Sequence, residues 1–444
     1  SNVFQVVSSP STLSAIDFTN TPANYFMELT TRSNASLVLT GTIRVHNGSH
    51  IMRYVLQGQK NAWHGEFESL DLQEVSSQLL THLERIATTP LLINPNNGKN
   101  LESAQLQVLH DQYPTDLIIF ERLIETFKRN NDLDSALLLA EEMQALAIAD
   151  KNLRYQARSH LLQGKILVQQ RLTDNGETHL KTALNMFQQQ GDYRLQSDSF
   201  HALAFVNRNR LDYVGIKKNL LQAASLALQT HDPLRQIEAI SNLCIFAHKF
   251  NQKEDRRFFL NQAELMLDQY QLPQEHYAVI YLHMASFADS TEDTEKHARR
   301  ILLLFSPQRE HWVKASAQQL LTQLLIEQRR WQEAFKLFPT QETLNAKENY
   351  LMARIHYAQR QIEEAATFAT ESFRKANFSG KTSAALDAAL LLIQINIQQD
   401  NKAEQARYRN FIAKEATQWW SKHNQEKLKL AGISIKQSEA DRGI

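Results

Sequence analysis

Between residues 349 and 377 the chain reads NYLMARIHYAQRQIEEAATFATESFRKAN. Leu351, Met352, Ile355 and His356 recur at helical spacing, and Ala365, Ala366, Phe368, Ala369 and Phe373 repeat the pattern beyond the polar pair Arg360-Gln361. The spacing predicts two helices joined by a tight turn, with small residues where the helices approach. Two helices alone have too little interior to bury both apolar stripes, so the hairpin predicts neighbours. The same grammar of polar turn and apolar helix returns at 129–143, 171–187, 208–224, 250–267, 289–305, 328–338 and 399–411. Equivalent second-helix positions are Ala136, Leu180, Leu220, Leu260, Ala298, Ala334, Ala365 and Ala403, roughly 31 to 44 residues apart. Helical repeat arrays have periods of about 34 to 47 residues, so residues 101–430 are expected to hold about eight antiparallel helix pairs.

The first hundred residues alternate differently. FQVV (4–7), SLVLTGTIRV (36–45), HIMRYVLQG (50–58) and AWHGEFES (62–69) are short and rich in β-formers, and Asn47-Gly48 is a strong hairpin signal. Residues 21–33 predict a helix with Pro22 in its first turn, and 69–87 predict another, capped by Ser69 or Asp71. A small α/β module over 1–100 is expected, ending in the linker TTPLLINPNNGKN (88–100). At the other end, Trp419-Trp420 are expected to cap the last helix, and residues 431–444 to form a disordered tail.

The helical part resembles tetratricopeptide (TPR) repeats. The run RRWQEAF (329–335) stands for that family's G-x-(Y/W)-x-x-A-x-x-(Y/F) segment, and the resemblance covers residues 110 to 418. It implies a mainly α fold, a TPR-like α-solenoid preceded by the small α/β domain, whose first helices line a concave groove. Positions two and three residues before each turn would then face the groove. Counting back from Asn131, Arg210 and Asn251 gives Lys128-Arg129, Asn207-Arg208 and His248-Lys249. Guanidinium and ammonium groups there would clasp a carboxylate or an acidic peptide; the competing reading is a solvated face before a turn.

Residues 37–83 carry a second resemblance. Leu39, Gly41, Thr42, Ile43 and Arg44, then Trp63 and Phe67, then Asp71 and Leu72 are similar to the TolB-like α/β module that precedes TPR-like helices in membrane-anchored transcription regulators of the CadC/ToxR type. That resemblance implies a non-catalytic, extracytoplasmic sensory region for a protein, peptide or small signal molecule. A DNA-binding part and a membrane span would lie upstream, and the region would be periplasmic. Two other readings stay open: a soluble TPR scaffold, and the effector-sensing helical arm of a cytoplasmic ATP-dependent activator.

Composition narrows the chemistry. Only 12 Gly and 9 Pro in 444 residues suit a helical array, and 48 basic against 48 acidic residues give no field for nucleic acid or anionic membranes. Cys244 lies among Leu243, Ile245 and Phe246, where a small buried hydrophobe is expected. There is no apolar run of about 18 residues, and the chain begins without Met or a leader, which suggests a fragment of something longer. NPNNGKN lacks the first glycine and the hydroxyl of a phosphate loop. Glu141-Glu142 and Glu363-Glu364 fall on polar helix faces. No metal-ligand spacing, cofactor motif or catalytic set is read. His46, His50 and His64 flank the hairpin, where they would bias a hinge at 88–110 over about pH 5 to 7 if partly buried. Solenoids also have open ends, so a homo-oligomer is compatible with the pattern.

Overall fold

The computed structural model describes residues 37–57, 62–87, 99–230, 232–270, 272, 274–305, 311–338 and 344–416, with 421, 424, 428, 429 and 432. The strand expected at 4–7, the helix at 21–33, nearly all of the linker, Trp419-Trp420 and the tail apart from Gly432 lie outside the described residues. Contacts divide the chain into two units, Ser1–Ile280 and Tyr281–Ile444.

The first unit opens on an antiparallel sheet in the order β1 (Val38–His46), β2 (Ser49–Gln57), β3 (Ala62–Ser69). Asn47 (φ 50°) and Gly48 (φ 82°) make the two-residue turn with both φ values positive, which fixes the register Arg44↔Ile51 and Gly41↔Tyr54. Helix α1 (Leu72–Ala87) follows; the Asp71 side chain accepts from the Gln73 amide at 2.9 Å, so Asp71 rather than Ser69 supplies the cap contact to the helix.

Among the described residues nine helices then follow within this unit. They are α2 (Lys99–Gln112), α3 (Leu117–Arg129), α4 (Leu133–Ala149), α5 (Leu153–Gln169), α6 (Thr173–Gln189), α7 (Tyr193–Asn209), α8 (Tyr213–Gln229), α9 (Pro233–Lys249) and α10 (Lys253–Tyr270). From Leu133 onward the helix starts fall every 20 residues. Six of the described turns repeat one device. A residue in the left-handed region (Asn131, Lys151, Arg171, Gly191, Leu211 and Asn251, φ 54° to 71°) precedes the N-cap. The N-cap amide then bonds back five residues, as from Asp132 to the Phe127 carbonyl at 2.9 Å and from Asn152 to Ala147 at 2.8 Å. Asp132, Asn152, Asp192, Asp212 and Asp232 next cap the following helix with their side chains. One short turn therefore satisfies orphan carbonyls of one helix and orphan amides of the next. Where α5 crosses α6 the backbones approach at Gly164 and Gly176; a Cβ on Gly164 would sit 2.7 Å from Leu180 and 3.0 Å from the Gly176 carbonyl.

Sheet and helices share one core. Tyr54, Leu56 and Trp63 of the sheet, Leu83 and Ile86 of α1, Leu106 and Leu109 of α2, and Ile119, Leu123, Ala140, Leu162 and Ile166 of α3 to α5 form a single buried cluster. Cys244 is buried on α9, where burial pushes its thiol up to about 12, as expected of a packed thiol rather than a reactive one.

Helix α11 (Gln274–Ser286) spans the division between the units. The second unit continues with α12 (Thr291–Leu304), α13 (Trp312–Glu327), α14 (Trp331–Phe335), α15 (Ala346–Ala358), α16 (Ile362–Phe378), α17 (Thr382–Gln398) and α18 (Lys402–Glu415). The 20-residue turn returns at Arg360, Gly380 and Asp400. The molecule is thus mainly α, an array of helical hairpins preceded by a small sheet. Of the eight second-helix positions read from the sequence, seven are buried; Ala403 is exposed. Among the described residues no helix is long and apolar enough to cross a membrane.

Candidate functional site

Strand alternation puts Arg44 of β1, Ile51 and Arg53 of β2, and His64, Glu66 and Glu68 of β3 on one face of the sheet. A charged face of this kind reads as solvent-facing. Here it is pressed against the N-terminal ends of α5 and α7. Asp192, the N-cap of α7, accepts from the Leu195 amide with one oxygen and takes Arg44 (3.0 Å), Arg53 (2.9 Å) and Arg154 with the other. Glu66 binds Arg53 and Arg154 through their Nε atoms, and the Tyr155 hydroxyl donates to the Glu66 carbonyl at 3.4 Å. The Asp192, Glu66 and Arg154 side chains are 0 %, 4 % and 4 % exposed, so this is a desolvated cluster, not a surface pair. Burial works against ionised Asp192, but Arg154, Arg53 and Arg44 outweigh it and hold the carboxyl well below the usual range. Burial brings Arg154 down to about 10 despite Asp192.

Beside this seam lies a cavity of about 340 Å³, lined by Glu66, Glu68, Glu74, Arg85, Asp116 and Arg154 among others. Its volume is at the lower end of small-ligand pockets, about 300 to 1,000 Å³. Asp116 caps α3 through the Ile118 and Ile119 amides and also receives His82 (2.8 Å) and Arg85 (2.9 Å) from α1. Burial raises its pKa, yet the His82 and Arg85 contacts and the Ile119 amide hold it below the ordinary value. His82 stands among the Tyr54, Trp63 and Phe67 rings, and its Nε2 is buried with no hydrogen-bond partner among the described residues. A second cavity, of about 240 Å³, lies in the second unit beside Tyr350, Arg354, Tyr357 and Asp387; burial pushes the Tyr350 hydroxyl up to about 12.

The groove residues expected from the sequence sit at the C-terminal ends of three different first helices, each in local contacts. Lys128 pairs with Glu125 (2.7 Å), Arg129 with Glu102 and Thr126, and Arg208 with Asn209 while lying over Phe205. Asn207 bonds Asp212 and Asn219, His248 meets Arg256, and Lys249 lies over Phe246. One register shifts: the left-handed turn residue is Leu211, not Arg210, so the pair equivalent to Lys128-Arg129 is Arg208-Asn209. His46 packs against Gly191, His50 contacts the Leu70 carbonyl at 3.3 Å, and the protein crowded around His64 holds its pKa down, with Arg122, Arg194 and Arg158 assisting against Glu121.

A third feature lies on the helices alone. Gln163 donates to the Ala140 carbonyl (3.2 Å) and to the Gln144 oxygen (2.7 Å), so the Gln144 amide nitrogen must donate to His160 Nε2 (2.9 Å). That leaves the proton on His160 Nδ1, donating to His179 Nδ1 at 3.1 Å. The chain has one direction and accommodates only neutral rings. Burial depresses both pKa values, His179 further lowering His160 while Glu141 of α4 opposes the change at His179. A depressed histidine stabilises fully above its unfolded value, about 6.5, and that contribution is lost as pH falls through the folded value. Wild-type protein is therefore expected to lose thermal stability as pH falls below about 6.5, and a His160→Gln/His179→Gln variant to lose less over that range. Equal losses in thermal melts across that range would count against the relay.

No protein-family profile matches the chain, and no curated protein matches it. Solved structures that match include the two that follow. The TPR domain of P58(IPK) is 14 % identical, covering 82 % of this chain and 100 % of that one with a TM-score of 0.22. A circular tandem repeat protein with novel repeat topology is 11 % identical, covering 81 % and 90 %, with a TM-score of 0.23. The helical-hairpin array described above rests on this chain's own turns and core.

Proposed function

We propose that this chain is a non-catalytic sensory and protein-interaction region, the periplasmic part of a CadC/ToxR-like membrane-anchored transcription regulator whose DNA-binding part and membrane span lie upstream. The observation that carries the sensory reading is the seam: a sheet module joined to a helical array through one core and one buried ionic cluster, with a cavity opening beside both. An effector or partner that inserts there changes the balance between docked and loosened arrangements only if it prefers one of them. The order of parts supports the regulator reading. The Gly41–Arg44 segment, Trp63 and Phe67, and Asp71-Leu72 all fall within the sheet and first helix, ahead of the hairpins.

The test is a topology and output experiment on the full reading frame. Reporters fused after this region should be active outside the inner membrane, and Arg154→Ala, which loosens the seam, should alter the signal dependence of the regulated promoter. Reporter activity on the cytoplasmic side would overturn the periplasmic reading. A promoter response untouched by both Arg154→Ala and deletion of residues 1–100 would leave a plain scaffold in its place.

A further inference from the structure

The cavity of about 240 Å³ in the second unit lies between α15 and α17, and helical spacing decides what faces it. Tyr350, Arg354 and Tyr357 of α15 stand at i, i+4 and i+7, and Asp387, Leu391 and Gln394 of α17 repeat that spacing on the other wall. The Gln398 amide donates to the Tyr357 hydroxyl at 2.9 Å and so ties the two helices together beside the cavity. Other donors on the walls are unused. Among the described residues the Tyr350 hydroxyl, the Arg354 guanidinium and the Gln394 amide have no hydrogen-bond or ion-pair partner. Elsewhere in this unit a partly buried arginine meets a carboxylate, as Arg330 meets Glu295 at 2.6 Å. Arg354 is also partly buried and meets none.

Three unused donors around one cavity call for an acceptor from outside the chain, because a polar group shielded from water without a partner is costly. A planar guanidinium presents paired N–H groups that match the two oxygens of a carboxylate. The facing wall carries the opposite charge. Asp387 has lone pairs enough to accept from a ligand ammonium alongside a partner within the protein, and its charge disfavours a phosphate dianion in the same space. Size narrows the choice further, since pockets for drug-sized ligands begin at about 300 Å³. We propose that this cavity binds a small zwitterion with an apolar side chain, an aliphatic amino acid, with its carboxylate on Arg354, Tyr350 and Gln394, its ammonium on Asp387 and its hydrocarbon against Ile326, Leu390 and Leu391. The lining shares no residue with that of the cavity beside Asp116, and the site does not depend on the regulator reading.

The test follows thermal melting of the whole chain with L-alanine, L-valine and L-leucine at millimolar concentration and matched ionic strength. Isocaproate, which keeps the hydrocarbon and carboxylate of leucine without its amine, and isoamylamine, which lacks the carboxylate, are the controls. The wild-type midpoint should rise with the logarithm of the concentration of at least one of the three amino acids, as for any ligand that binds only the folded state, and neither control should match that rise. Arg354→Met should abolish it. Tyr350→Phe, which keeps the ring and removes one donor, should weaken calorimetric binding about tenfold, and Asp387→Asn should reduce the leucine response to that of isocaproate. If Arg354→Met does not fold, Arg354→Lys, which keeps the charge without the fork, takes its place and should show a smaller rise. The proposal is overturned by no wild-type response to any of the three amino acids, by a response to isocaproate equal to that to leucine, or by an undiminished rise in the Arg354 variant.

Discussion

Asp192→Ala is expected to lower the unfolding free energy of the first unit by about 3–5 kcal/mol, the usual loss when one partner of a buried ion pair is removed. The size follows from what the carboxylate does. It is fully buried, it caps α7 through the Leu195 amide, and one of its oxygens takes three guanidinium groups. Alanine leaves Arg53 with Glu66, Arg154 with Glu66 and the more distant Glu68, and Arg44 without its carboxylate, and it strips the cap, itself worth about 1 kcal/mol. Asp192→Asn separates the two effects, because its amide oxygen retains the cap while the charge is gone. Urea titration checks both variants; a midpoint unchanged in Asp192→Ala would show that the cluster contributes nothing net. Acid acts on the same group: a carboxyl held well below its unfolded pKa stabilises above about pH 4 and loses that contribution as pH falls through the folded value.

The second large effect lies in the other unit. Ala365 on α16 is 0 % exposed, packed in a cluster with Ala353, Ala369, Leu386 and Ala389 where helix backbones approach through small side chains. Ala365→Trp must part these helices, and overpacking costs about 1–3 kcal/mol or more. Thermal melting should show a lower midpoint for this unit, whereas Ala403→Trp, at an exposed position, should melt as wild type does. Equal midpoints for Ala365→Trp and wild type would contradict the packing described.

Helical periodicity made the array legible, because an apolar stripe every 3.6 residues survives loss of any family motif. The Asn47-Gly48 hairpin was equally plain. The regular 20-residue unit was not, since its marker is backbone conformation: Lys151, Arg171 and Leu211 occupy a left-handed position for which sequence reasoning looks for glycine. The Asp and Asn caps at 132, 152, 192, 212 and 232 were a usable signal for it. The seam was hidden for a different reason. Arg44, Arg53 and Glu66 alternate as a solvated strand face does, and only the fold brings Arg154 and Asp192, some 90 to 150 residues away in sequence, against them. Arg44 stood inside the segment that carried the family resemblance, yet its partner could not be read from spacing. The groove pairs lie at helix C-terminal ends, and in the third repeat the left-handed residue is Leu211 rather than the Arg210 from which the pair is counted.

The sheet and the first helices share one core and one buried ionic cluster, so they are expected to open as a single unit held at the seam. Native-state hydrogen exchange tests it most directly. The account predicts that amides of β2, α5 and α7 open with the same free energy in wild-type protein, and that all three fall together in Asp192→Ala. Amides of β2 that exchange at much lower free energy than those of α5 and α7, with the helices unmoved by Asp192→Ala, would contradict it.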